Sequence, residues 1–204
     1  MKKSVYGIVF IVALGFQTNV SAETFNYSKI SLGYLDTTVG MGGVGADLTA
    51  SGYNLTAAVE MNKSFGVQFG FEKASGDETI LGTKVNLDVD TKMLGMIFHA
   101  PISRNVDVVL GLAILQGELK ASTGGATITT DNMEGQQASI GMRMMARDWL
   151  EINAGVNQTF IGGSSDSNIM IGASGYLRND VSLGISYSSN NDTQTSYFSV
   201  SKYF

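Results

Sequence analysis

The chain has 204 residues, of which 44% are hydrophobic, with 25 glycines, one proline and no cysteine. Lacking cysteine, it can form no disulfide, thiol nucleophile or lipid-modified N-terminal cysteine. Its formal charge of −5 argues against a nucleic-acid partner.

The chain opens like a secretory signal. Lys2 and Lys3 precede an apolar run of 12 residues, 5–16, and Val20, Ser21 and Ala22 offer a small-residue cleavage site. The run is short for a spanning helix. Cleavage after Ala22 is expected, leaving residues 23–204 as one domain of 182 residues, 204 less 22. That mature chain holds 11 basic and 18 acidic residues, a net charge of −7. No later stretch reaches 18 apolar residues, so no spanning helix is expected.

From about residue 25 to the end, short segments alternate between apolar and polar positions, as strands with two unlike faces do. In an early segment Tyr53, Leu55, Ala57, Val59 and Met61 alternate with Asn54, Thr56, Ala58 and Glu60. In the next, Phe65, Val67, Phe69 and Phe71 alternate with Gly66, Gln68, Gly70 and Glu72. Residues 92–100 and 106–114 are apolar at both parities, so periodicity does not fix their register. A locally apolar barrel interior or a short periplasmic plug would each explain them. Farther on, Leu150, Ile152, Ala154 and Val156 oppose Glu151, Asn153, Gly155 and Asn157. Val181, Leu183, Ile185 and Tyr187 then oppose Ser182, Gly184, Ser186 and Ser188. In the last segment Phe198, Val200 and Phe204 share a side, opposite Tyr197, Ser199, Ser201 and Tyr203.

Two kinds of punctuation separate the segments. Tight turns fall at 62–64, 101–105, 146–148 and 178–180. Polar and usually longer loops are expected at 36–50, 75–86, 120–131, 162–166 and 189–192. Such alternation suits a transmembrane barrel with short periplasmic turns and longer external loops. Four tight turns and two periplasmic termini imply ten strands; eight is the alternative if a short hairpin near the C-terminus is misread. The predicted fold is all-β: an antiparallel up-and-down transmembrane barrel. A soluble lipocalin-like barrel is the rival, since soluble antiparallel sheets show the same dyad. It would turn these apolar stripes inward and expose Gly, Ser and Asn.

This combination of leader, strand dyads, asymmetric connections and terminal Phe204 resembles the small outer-membrane β-barrel proteins, the OmpA/OmpX-like and porin-like group. Lys202 departs from that pattern, which usually has a large apolar residue third from the end. The resemblance implies a cell outer-membrane location among lipid and lipopolysaccharide. It also implies insertion by the barrel-assembly machinery, with Phe198, Val200 and Phe204 as the assembly signal. No peptidoglycan-binding domain is expected after the barrel. The group includes structural anchors, adhesins, narrow pores and a few enzymes, and fold alone does not choose among them.

Among chemistry-bearing residues, His99 is the chain's one histidine and falls at an expected periplasmic strand end, so it reads as interfacial rather than catalytic. Asp88 and Asp90 share a strand face with Lys92 and read as a salt-bridged surface, not a metal site. Gly40, Gly42, Gly43 and Gly45 lack the Lys-Ser/Thr of a phosphate loop and read as a first external loop. No cofactor or metal is expected. If the apolar parity faces lipid, Glu60, Gln68, Glu72, Lys92, Arg143, Glu151, Asn153 and Asn157 face the lumen. These side chains would either pair and fill the barrel or line a narrow pore. The composite expectation is a non-enzymatic structural or surface protein of the porin-like class. A low-conductance channel for small solutes is the alternative, with an outer-membrane enzyme behind it. The sequence does not fix the oligomeric state.

Overall fold

The structure is a computed structural model describing residues 26–41, 46–80, 83–178 and 180–204. The leader and Gly42, Gly43 and Gly45 lie outside the described residues. Ten strands follow in chain order: β1 (Lys29–Met41), β2 (Ala46–Asn62), β3 (Phe65–Ile80), β4 (Thr83–Ser103), β5 (Val106–Thr123), β6 (Ala126–Arg147), β7 (Leu150–Ile161), β8 (Ser164–Arg178), β9 (Val181–Ser189) and β10 (Thr193–Tyr203). Each pairs antiparallel with its sequence neighbour, and β1 pairs with β10 to close the barrel. Closure leaves no unpaired sheet edge around the waist, as a strand structure in hydrocarbon requires.

The expected tight turns join the strands at the end carrying both termini. Each of them follows a register shift, between Glu60 and Asn62, Pro101 and Ser103, Met145 and Arg147, and Tyr176 and Arg178. Such bulges bend a strand into its turn, and they suit the chain's only proline, which cannot donate to a regular ladder. At the other end most of the expected long loops are instead strand. The stretch 120–131 continues β5 and β6 up to a two-residue turn, Gly124–Gly125, with φ of 56° and 82°. Gly162 and Gly163 turn in the same way, with φ of 55° and 84°. Positive φ at both positions is what a type I′ hairpin demands, and glycine adopts it without steric cost. The stretches 36–50 and 75–86 are likewise mostly strand. Polar composition suggested loops, but paired backbone above the membrane can carry polar side chains on both faces. The rim is uneven: β6 pairs with β7 only from Gly135, so 126–134 rises beyond β7.

The apolar parity faces outward. Leu32 in β1 is 60% exposed, Ile169 in β8 66% and Ile185 in β9 51%. Phe198, Val200 and Phe204 lie on this outer side as well. Burial also resolves the two ambiguous stretches. In β4, Leu94, Met96 and Phe98 point out while Met93, Ile97 and His99 are buried within. In β5, Leu110, Leu112 and Ile114 point out while Val109, Ala113 and Leu115 are within. Met93, Ala113, Leu115, Leu119 and Met133 form an apolar cluster, so part of the inner wall is itself hydrophobic.

Candidate functional site

The lumen concentrates the buried polar chemistry. At the short-turn end, Arg143 of β6 is 1% exposed and Glu151 of β7 is fully buried. The guanidinium donates from Nε and Nη2 to the two carboxylate oxygens at 3.0 and 2.9 Å. The Tyr176 hydroxyl of β8 donates to Oε2 of the same carboxylate at 2.8 Å. Buried Lys29 of β1 is electrostatically coupled to both Arg143 and Glu151.

The chain entering β1 completes this plug. Tyr27, 1% exposed, lies inside the barrel mouth. Its ring stacks on His99 with centroids 3.7 Å apart, and the Arg143 guanidinium sits 5.1 Å from the ring centroid. Its hydroxyl donates to the fully buried carboxylate of Asp107. His99 Nδ1 lies 3.5 Å from that carboxylate. Below, the Tyr27 amide reaches Glu60 Oε2 at 3.4 Å, and the Ser28 hydroxyl accepts from the Glu60 amide at 3.0 Å. Arg143 and Glu151 thus form a buried ion pair, and the Asp107 and Glu60 carboxylates flank it through the Tyr27 hydroxyl and amide.

Farther along the lumen the side chains are polar but sparsely bonded. Gln137 donates to Thr159 at 3.2 Å, and Thr37 to Thr195 at 3.0 Å. Gln68 Nε2 lies 3.9 Å from the Met93 sulfur. Glu72 is 1% exposed, and neither of its carboxylate oxygens has a hydrogen-bond partner among the described residues. Two narrow clefts measure about 20 and 10 Å³, the first beside Arg143, Asn153 and Asn157 and outward Ile140 and Met142, the second beside Asn54 and Tyr197 and outward Phe198. Each has room for about one water molecule. A larger hollow, about 520 Å³, is lined mainly by outward Val67, Leu94, Met96, Leu112, Ile114 and Phe160, so it opens toward lipid.

Of the residues expected to face inward, Gln68, Glu72, Arg143, Glu151, Asn153 and Asn157 lie buried within the barrel, and Glu60 sits at its mouth. Arg143 and Glu151 are brought together; Glu72 is not joined to them by any contact. Lys92 was misplaced. It is exposed on the outer face, at the parity of Leu94, Met96 and Phe98. Residues 92–100 carry apolar side chains on both faces, so sequence offered no parity there. Asp90 shares that outer face, and its partner is Lys73 across the β3–β4 ladder at 3.1 Å. His99, read as interfacial, is instead 7% exposed inside the barrel. Tyr27, Lys29, Asp107 and Tyr176 escaped the sequence reading. Asp107 carried a signal, since it is the one acid in an otherwise apolar stretch. Among the described residues no group of three His, Cys, Asp or Glu side chains could hold a metal ion.

An apolar belt outside, a polar core inside and short turns beside the termini define a transmembrane barrel of outer-membrane type. Residues 8–188 match the outer membrane protein beta-barrel domain family, and the chain belongs to that family. It is therefore an integral protein of the cell outer membrane, in contact with lipid and lipopolysaccharide. Solved structures with the same fold include the transport unit of the autotransporter AIDA-I from Escherichia coli, at 9% identity and a TM-score of 0.61, covering 96% of this chain and 93% of that one. The beta domain of the Bordetella autotransporter BrkA matches at 10% identity and a TM-score of 0.52, covering 88% of this chain and all of that one. The Ail attachment invasion locus protein of Yersinia pestis aligns at 17% identity and a TM-score of 0.41, covering 87% and 97%. No curated protein sequence matches the chain.

Proposed function

We propose that this is a non-enzymatic surface or structural protein whose lumen does not conduct. The periplasmic plug carries the reading. Tyr27, His99, Asp107, Arg143 and Glu151 fill the mouth in mutual contact. A charge-lined pore would need those groups held apart by water, whereas here they bond to each other. The paired strands of β3, β4, β5 and β6, with the 126–134 stretch standing beyond β7, offer a surface outside the membrane.

Catalysis has no part in this role. His99 is buried at the periplasmic end against Tyr27 and Asp107, away from any surface substrate. Residues 1–22 act as a cleaved signal, and Phe204 presents the closing strand to the barrel-assembly machinery. The narrow-channel reading draws on the sparsely bonded polar groups of the middle lumen. Planar-bilayer recording separates the two: the proposal expects no discrete conductance steps from pure protein, and reproducible ion-selective steps would replace it with the channel.

A further inference from the structure

The barrel wall ends unevenly outside the membrane, and one strand edge stands open there. β6 pairs with β5 from Ala126 to Met144, but with β7 only from Gly135, opposite Ile161 where β7 ends. Residues 126–134 therefore have a strand neighbour on one side only among the described residues. Such an edge presents backbone N–H and C=O groups that the sheet itself does not satisfy. Open edges are commonly blunted by lysine or proline, and 126–134 has neither. Thr127, Ile128, Thr129 and Thr130 are β-branched and favour the extended chain. A register shift against β5 around Ile128 interrupts the tip, and the ladder is regular from Thr129 to Glu134. Met133 packs in the inner apolar cluster and anchors the stretch from within.

At the foot of the edge lies a hollow of about 710 Å³, with Glu134, Gln136, Ser164 and Ser165 in its lining beside the Gly162–Gly163 turn. A side-chain carbon at either glycine would meet no atom within 4 Å, so the turn leaves the space beside the edge open. Asp131 and Glu134 have no ion pair among the described residues. Three nearby lysines are engaged elsewhere, Lys73 with Asp90, Lys84 with Asp77 and Lys120 with Glu118. Lys92 stands two strands from Glu134, beyond Gln116. Being three positions apart, Asp131 and Glu134 fall on opposite faces of the strand. A second copy fits this edge poorly. The other free margin of the raised sheet, 77–80 of β3, carries Asp77 and Glu78, so two copies meeting edge to edge would set acid against acid.

We propose that the open edge of β6, 129–134, binds an extended basic segment of a partner protein as an added strand. Two basic side chains of that segment, three residues apart, stand opposite Asp131 and Glu134. Main-chain pairing supplies the attachment and the alternate side chains the selectivity. The inference rests on the reading of this chain as a surface protein and names the chemistry of its partner.

The probe is a synthetic Thr/Val-rich peptide with two lysines three residues apart, added to the refolded full chain in detergent. It should bind saturably and slow amide hydrogen exchange at 129–134. The same peptide with glutamates for lysines should not bind. With its backbone nitrogens methylated, the lysine peptide keeps both charges but loses its main-chain donors, and it too should not bind. Asp131→Asn combined with Glu134→Gln should weaken binding about two- to thirtyfold, the worth of two cross-strand charge pairs. Neither side chain is buried, so the barrel still closes. No binding by the lysine peptide, or equal binding by the glutamate peptide, would overturn the proposal. Binding that survives backbone methylation would reduce the edge to a charged surface and overturn it as well. So would protection of 129–134 that rises with protein concentration alone, since a second copy would then hold the edge. Conductance recorded on the same preparation keeps the two readings apart: electrical silence without peptide binding strikes this proposal and leaves the surface-protein reading standing.

Discussion

Arg143 and Glu151 meet fork to fork across the β6–β7 ladder, with two parallel hydrogen bonds of 3.0 and 2.9 Å in a site almost closed to solvent. The pair is diagonal, because Arg143 stands opposite Asn153 in register. Eight residues and one tight turn separate the partners in sequence. Bidentate geometry fixes both planes, so the pair locks the two strands and supports the Tyr27 ring above the guanidinium.

Removing half of this pair is the sharpest test of the filled lumen. Arg143→Ala leaves the Glu151 carboxylate buried without its cation, and such a loss costs about 3–5 kcal/mol. Denaturant unfolding in detergent should show a marked fall in stability without new conductance. The double change Arg143→Met with Glu151→Leu should cost less than Arg143→Ala alone, since it strands no charge. Unchanged stability with altered ion selectivity after Arg143→Ala would favour the channel.

Tyr27 tests the plug from the other side. Tyr27→Phe keeps the stack on His99 but leaves the Asp107 carboxylate without its donor, a loss of about 1–3 kcal/mol. Tyr27→Ala removes the ring as well, and single-channel recording should then find occasional openings that Tyr27→Phe lacks. Silence from both variants would mean that the remaining cluster seals the mouth without Tyr27.

The facing of the strands predicts a contrast along one barrel. Ile185→Arg and Val59→Arg place a charge on the lipid side, at about 2–4 kcal/mol near the bilayer midplane and less toward the interfaces. Thr127→Arg, exposed on β6 beyond its pairing with β7, should stay within about 0.5 kcal/mol of wild type. Refolding yields into lipid vesicles would rank them, and equal yields would contradict the assigned parity.

Processing and assembly can be checked in cells. Intact mass of the outer-membrane form should place the first residue at Glu23. Deleting Phe204 should lower the amount of folded barrel in the outer membrane more than it lowers refolding of the purified chain. Equal reductions would point to a stability role for the ring rather than recognition.

Much of this architecture was legible in the chain. The dyad of Leu150 to Asn157 stated which side of β7 faces lipid, because side-chain direction alternates with every residue of a strand. The tight-turn residues located the hairpins, and their count implied ten strands. Lys92 and His99 were misread where apolar residues occupy both faces, since a wall that is hydrophobic inside and out leaves no contrast to read.

Strand parity, where the two faces differ in polarity, and the position of the tight turns are local properties, carried by neighbouring residues, and could be read from the sequence by itself. The partners inside the lumen are not local. Tyr27 meets Asp107 across 80 positions, and its ring stacks on His99 of the fourth strand. Those meetings depend on the tilt and stagger with which ten strands close, and closure couples every register in the barrel to every other. Only the tertiary structure could decide that Arg143 pairs with Glu151 while the carboxylate of Glu72, on the same inward parity, has no hydrogen-bond partner among the described residues.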